Sequence, residues 1–172
     1  MKNFIISLLM LTLSTSTLLA EKIHVEGYYK NSSFEIGDSW LDSGKRQHFE
    51  SAKSLGEISL YSENFSFRGT SVADFSLSFL DKNSNGKMIA KEVWTSSKNS
   101  SSGFKGHSSC EITGGSTICI MWFKGFGEYD GKIMELSLNE VDVNESNYTQ
   151  NRAADSPNVY ALEGKIIDEP KD

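Results

Sequence analysis

Residues 73–79 read Ala-Asp-Phe-Ser-Leu-Ser-Phe, with apolar and polar residues taking turns. A period of two puts Ala73, Phe75, Leu77 and Phe79 on one face of an extended strand and Asp74, Ser76 and Ser78 on the other. On a helix the same four apolar side chains would scatter around the axis. Strand chemistry recurs over Ile23–Tyr29, Gly56–Ser62, Met88–Thr95, Ser108–Thr113, Ile118–Lys124, Lys132–Leu138 and Val159–Ile167. Turn residues separate several of these runs, at Asn85-Gly86, Gly114-Gly115 and Tyr129-Asp130-Gly131. About eight strands in one short chain predict an all-β domain, a small antiparallel barrel or, as the alternative, a β-sandwich. A barrel leaves no open sheet edge, and eight strands enclose room for side chains or one small ligand.

The chain begins differently. Lys2 precedes an apolar run from Phe4 to Leu13, and small or polar residues lead on to Ala20. This is the layout of a removable secretory leader over residues 1–20, although Leu18 is bulky for a position close to the cut. The run is too short to cross a bilayer. The barrel domain is then expected over 21–167, with an acidic tail at 168–172. The expected location is periplasmic or secreted. No second long apolar stretch follows, so no membrane span is expected. The formal net charge is −6 and no Lys/Arg cluster stands out, which argues against a nucleic-acid partner. Ten Phe, six Tyr and three Trp exclude a disordered chain, which is poor in such residues.

Two stretches lack strand character. Asp38–Lys53 is mixed and polar, and is expected to be a long loop or a short helix. Asn139–Asn158 begins as strand and becomes a hydrophilic excursion, and Ser96–Ser102 reads as a loop tip.

Cys110 and Cys119 are the two cysteines. If Gly114-Gly115 is a two-residue turn, Thr113 pairs with Ser116, Ile112 with Thr117 and Glu111 with Ile118. Cys110 then falls opposite Cys119 in a non-hydrogen-bonded pair, with Cβ atoms about 4.5–5.5 Å apart. That is within reach of a disulfide, which an exporting compartment favours. His107 lies near, but three His and two Cys are a poor supply for a four-ligand zinc site.

Asp81, Asn83, Asn85, Gly86 and Glu92 fit the spacing of a twelve-residue calcium loop, with Met88 at its apolar position. The flanks alternate like strands, however, so a hairpin turn fits better than an EF-hand. Pairing Phe79 with Met88 sets Leu77 against Ala90, Phe75 against Glu92 and Ala73 against Trp94. Glu92 is then a rim residue reaching solvent, a calcium ligand, or a carboxyl inside the barrel that needs a partner or a raised pKa.

The run Ile118-Cys119-Ile120-Met121-Trp122-Phe123 is apolar on both faces, so both faces must be covered or one must line a cavity. Phe75, Leu77, Phe79, Glu92, Trp94 and Trp122 are the candidate lining of a pocket for a small apolar ligand; a side-chain-filled core is the plainer reading. No nucleophile elbow, P-loop, metalloprotease helix or dinucleotide fingerprint occurs, and His24, His48 and His107 stand alone in polar surroundings. Asn144 and Asn147 lie in Asn-x-Ser/Thr sequons, each with an acid two residues before the Asn, in one polar loop where a glycan could be attached.

The segment Phe79 to Gly131 resembles exported bacterial members of the allene oxide cyclase-like (lipocalin-like) barrel group. It shares the acidic turn Asp81 to Gly86, Trp94, the turn Thr113 to Gly115, and the aromatic-glycine rhythm from Phe123 to Gly131. The usual Gly-Gly-Thr-Gly run stands here as Gly-Gly-Ser-Thr. The resemblance covers about a third of the chain and implies a small barrel with an apolar interior; no catalytic residue carries over. The expected function is a non-enzymatic barrel that binds a small apolar ligand or an envelope protein. The alternatives are an enzyme using Glu92 as acid or base, and a calcium-stabilised structural or interaction protein.

Overall fold

The computed structural model describes residues 22–80, 85–114, 116–140 and 159–170. The leader, the core of the calcium-like loop (Asp81 and Asn83) and both sequons (Asn144 and Asn147) fall outside them. The strands are β1 (Ile23–Glu35), β2 (Asp38–Leu41), β3 (Gln47–Tyr61), β4 (Ser66–Phe79), β5 (Gly86–Ser96), β6 (Gly103–Thr113), β7 (Ser116–Phe126), β8 (Lys132–Glu140) and β9 (Val159–Asp168). Neighbours pair antiparallel in the order β1-β9-β8-β7-β6-β5-β4-β3-β2, and β1 also pairs with β3. That last pairing closes eight strands into a barrel and leaves β2 outside as a short flap. A sandwich is therefore excluded.

Apolar residues at alternate positions face inward on every wall. Glycines sit among them at Gly27, Gly106 and Gly164, where a Cβ would run into the backbone of Ser59, Trp122 and Glu135 respectively. These positions let strands bend and approach closely enough to close a small barrel. One half of the interior is solid: Phe67, Trp94, Phe104 and Phe123 are each 0–1% exposed. Tyr129, from the 3-10 turn Gly127–Tyr129, caps that end with its ring 5.5 Å from Phe67 and 4.8 Å from Phe104.

Asp38–Lys53 is neither loop nor helix. It holds β2 and the start of β3, paired Asp38↔Glu50 through Leu41↔Gln47. The turn between them is built by Asp42. Its Oδ1 accepts the Gly44 and Arg46 amides at 2.8 and 2.9 Å, and its Oδ2 accepts Arg46 Nε at 2.6 Å. The Arg46 backbone amide, then its guanidinium and His48, hold the Asp42 carboxyl at about 2. β1 and β3 also extend beyond their apolar stretches. Polar Asn31 and Ser33 are strand because β3 supplies their partners, Gly56 and Leu55, across a bulge. Pairing, not local alternation, decides this segment.

The β4–β5 register is shifted by two from the expected one. Phe79 pairs with Gly86, Leu77 with Met88, Phe75 with Ala90, Ala73 with Glu92 and Ser71 with Trp94. A Leu80 amide bond to the Asn85 carbonyl (2.7 Å) closes a shorter loop than the expected pairing implied. A two-residue slip keeps every side chain on its face and changes only its neighbours.

The β6–β7 hairpin follows the expected register from Thr113↔Ser116 to Cys110↔Cys119, and a disulfide joins the two cysteines across a Cα separation of 4.0 Å. The doubly apolar run in β7 resolves by parity. Cys119, Met121 and Phe123 point inward, while Ile118, Ile120 and Trp122 lie on the outer face, with Ile120 74% exposed. Trp122, expected in the lumen, instead lies beside the His107 ring, 5.8 Å away.

Candidate functional site

The other half of the interior is hollow. A cavity of about 150 Å³ opens at the barrel end that carries the β4–β5 loop and the β6–β7 turn. Its apolar wall comes from alternate positions of adjacent strands, among them Phe75, Met88, Ala90, Cys119, Met121 and Leu138. Phe34 lies at the mouth, with its ring 5.2 Å from that of Phe75. The disulfide is thus part of the pocket wall as well as a hairpin staple.

The polar groups gather on one side, and Glu92 is their centre. It is 7% exposed. Its Oε2 accepts the Trp94 indole N–H at 2.9 Å, and its Oε1 accepts the Ser108 hydroxyl at 2.7 Å. From β1 the Tyr29 phenol lines the cavity, 3.4 Å from Ser54 Oγ. Its ring lies across Gly56, where a Cβ would collide with it. Ser71, 1% exposed, influences the titration of both Glu92 and Tyr29, yet its Oγ completes no hydrogen bond. Tyr160 completes the rim, with its ring 6.1 Å from that of Tyr29.

Burial raises the Glu92 pKa, and the hydrogen bonds from Ser108 and Trp94 only partly oppose it. Burial likewise pushes Tyr29 up to about 12, with the nearby Glu92 charge adding to the rise. No Lys, Arg or His lies among the described residues that line the cavity. The folded state therefore holds a proton on Glu92 that the unfolded chain releases in the ordinary glutamate range. Where the two differ, the native state binds more protons and stability falls as pH rises. The stabilisation is complete below the unfolded pKa and is lost as pH passes through the raised folded value. Glu92→Gln should flatten this part of the profile, because an amide oxygen still accepts from Trp94 and its NH2 can donate to Ser108. Urea melts of both proteins across the range above the ordinary glutamate pKa check this; parallel profiles would contradict it.

The expected lining is partly brought together. Phe75 and Glu92 line the cavity. Trp94 lies beneath it, its ring tilted against that of Phe123 with centroids 4.2 Å apart. Leu77 packs at its edge against Phe75 and Ala73. Phe79 stands further out, edge-on to Phe49 at 6.2 Å, and Trp122 is outside. Tyr29, Ser54, Ser71, Ser108 and Tyr160 went unrecognised. Ser108 was within reach, because Cys110 facing inward puts Ser108 on the same face.

Glu92, the last residue of the calcium-like pattern, lies six residues of extended strand from Gly86, roughly 20 Å, and its oxygens accept from Trp94 and Ser108 inside the barrel; Asp81 and Asn83 lie outside the described residues. Asn85 Oδ1, the atom a calcium ion would need, accepts the Gly114 amide at 2.8 Å and ties the two turns at the mouth together. Among the described residues no group of three or more His, Cys, Asp or Glu side chains could hold a metal, and no helix is long and apolar enough to cross a membrane.

Comparison with family models, curated proteins and solved structures finds no match to this chain. The site is therefore read on its own chemistry.

Proposed function

We propose that this chain is an exported, non-enzymatic barrel that binds a small apolar molecule in the open half of its lumen. The observation that carries the reading is the cavity itself: about 150 Å³, largely apolar, and open at one end. An apolar space of about that size accommodates a benzene ring. A few convergent polar groups in such a pocket serve to orient the ligand. Export to the periplasm or beyond is supported by the leader-like residues 1–20 and by the Cys110–Cys119 disulfide. The resemblance of Phe79 to Gly131 to allene oxide cyclase-like barrels supports the ligand-binding part of the reading.

A second reading, with Glu92 as acid or base on a bound substrate, draws on its burial and raised pKa. It lacks a partner: no second carboxyl and no His, Lys or Arg lines the cavity among the described residues. Glu92→Gln leaving an identified activity unchanged would dispose of it.

The ligand-binding reading is tested with 2-phenylethanol, a neutral molecule of one ring, followed by the methyl NMR signals of the methionines. Met88 and Met121 line the cavity, whereas Met134 is in the solid half. Saturable shifts of the first two and not the third are expected. Ala90→Phe should fill the space and abolish them, at a cost to stability of about 1–3 kcal/mol. Absence of any saturable shift at millimolar 2-phenylethanol counts against the reading.

A further inference from the structure

The polar cluster in the cavity has a donor–acceptor balance that selects a ligand charge. An indole N–H can only donate, so Glu92 Oε2 is committed as an acceptor. The Ser108 hydroxyl donates to the other oxygen. Both oxygens are thus dressed as a carboxylate is dressed, yet the described residues lining the lumen provide no cation. The Tyr29 phenol, beside the same carboxyl and lining the same cavity, has acceptor capacity to spare. What is missing is a group that brings a positive charge and several N–H donors.

We infer that the lumen is an amine site, taking a small aromatic or alkyl ammonium ion with its nitrogen against Glu92 and Tyr29 and its apolar portion toward the mouth. The inference rests on the ligand-binding reading and narrows it to a chemical class. An ammonium group has three donors, and the carboxylate and the phenol offer acceptors for them. The apolar portion lies against Phe75, Met88 and Leu138. The negative net charge of the chain, −6, favours approach of a cation. The titratable groups facing Glu92 across the cavity are the phenols of Tyr29 and Tyr160, and neither supplies a positive charge. The ammonium and the carboxylate pair inside the barrel, where one buried charge alone is unfavourable, and any proton that burial keeps on Glu92 leaves to solvent.

The test compares 2-phenylethylamine, 2-phenylethanol and 3-phenylpropanoate by isothermal titration at pH 7 in buffers of different ionisation enthalpy. These share the ring and differ in the polar end. The amine should bind about tenfold or more tighter than the alcohol, and the anion more weakly than either. Amine binding should release up to about one proton per complex, and alcohol binding none. Glu92→Gln should lose the preference for the amine over the alcohol. An amine that binds no tighter than the alcohol, or a preference that survives Glu92→Gln, overturns the amine site and leaves the apolar pocket standing. Binding of none of the three overturns both. The amine-to-alcohol preference is measured on the unaltered protein, so it decides the matter even if the variant does not fold.

Discussion

Replacing Trp94 by Ala is expected to destabilise the barrel by about 3–5 kcal/mol, a large part of the stability of a domain this size. Three observations set the magnitude. The side chain is 0% exposed. Its ring centre is 4.2 Å from that of Phe123, in the solid half of the interior. Its indole N–H is one of the two donors that hold the Glu92 carboxyl. Truncation opens a cavity directly beneath the existing pocket and strips a buried polar oxygen of its partner. Trp94→Phe separates the two effects. It keeps most of the apolar contact and loses the N–H, so it should cost about 1–3 kcal/mol and push the Glu92 pKa further up. Urea unfolding of the three proteins measures both steps. A loss below about 1 kcal/mol for Trp94→Ala, well under the usual range for a buried aromatic, would show that the barrel floor is not packed as described.

Removing the disulfide is the second large effect. Cys110→Ala with Cys119→Ala opens a closed loop of roughly ten residues, worth about 2–3 kcal/mol by the chain-entropy model. Both sulfurs also face the interior, at 1% and 3% exposure, so their removal adds a packing loss. Cys119 lines the cavity. The double variant should therefore lower the urea midpoint and also weaken binding of 2-phenylethanol. A stability loss with unchanged binding would mean that the pocket wall is held by the barrel rather than by the bridge.

The candidate site was half legible in the sequence, and the particular residues show why. Parity carries a long way. Alternation alone puts Phe75, Glu92 and Trp94 on one face, and a two-residue error in register leaves that assignment intact. Parity applied to Cys119 would also have removed Trp122 from the lumen, since the two residues are an odd number of positions apart. The run is apolar on both faces, so its composition alone leaves open which face points inward. The inward serines are a different matter. Ser54, Ser71 and Ser108 are polar residues at interior positions, so a pattern of apolar alternation passes over them. Only the tertiary structure explains them: Ser108 donates to the Glu92 carboxyl and Ser54 lies against the Tyr29 phenol.

The calcium-like spacing says nothing of distance. A twelve-residue loop brings its first and last ligands together only if the chain doubles back between them. Here β5 runs extended from Gly86, so Glu92 is carried away down the barrel. The β2–β3 hairpin was missed because its strands depend on the Asp42 turn and on pairing partners, not on hydrophobic alternation.

Local periodicity and turn chemistry by themselves determined the strand-rich class, the hairpin that joins Cys110 to Cys119, and the facing of most side chains, because each follows from neighbours close along the chain. Whether β1 meets β3, how far the interior fills, and which oxygens surround Glu92 were decided only by the closed barrel. Those contacts join residues far apart in sequence, and side-chain volumes packed around a common axis, not the order of residues along one strand, determine where space remains.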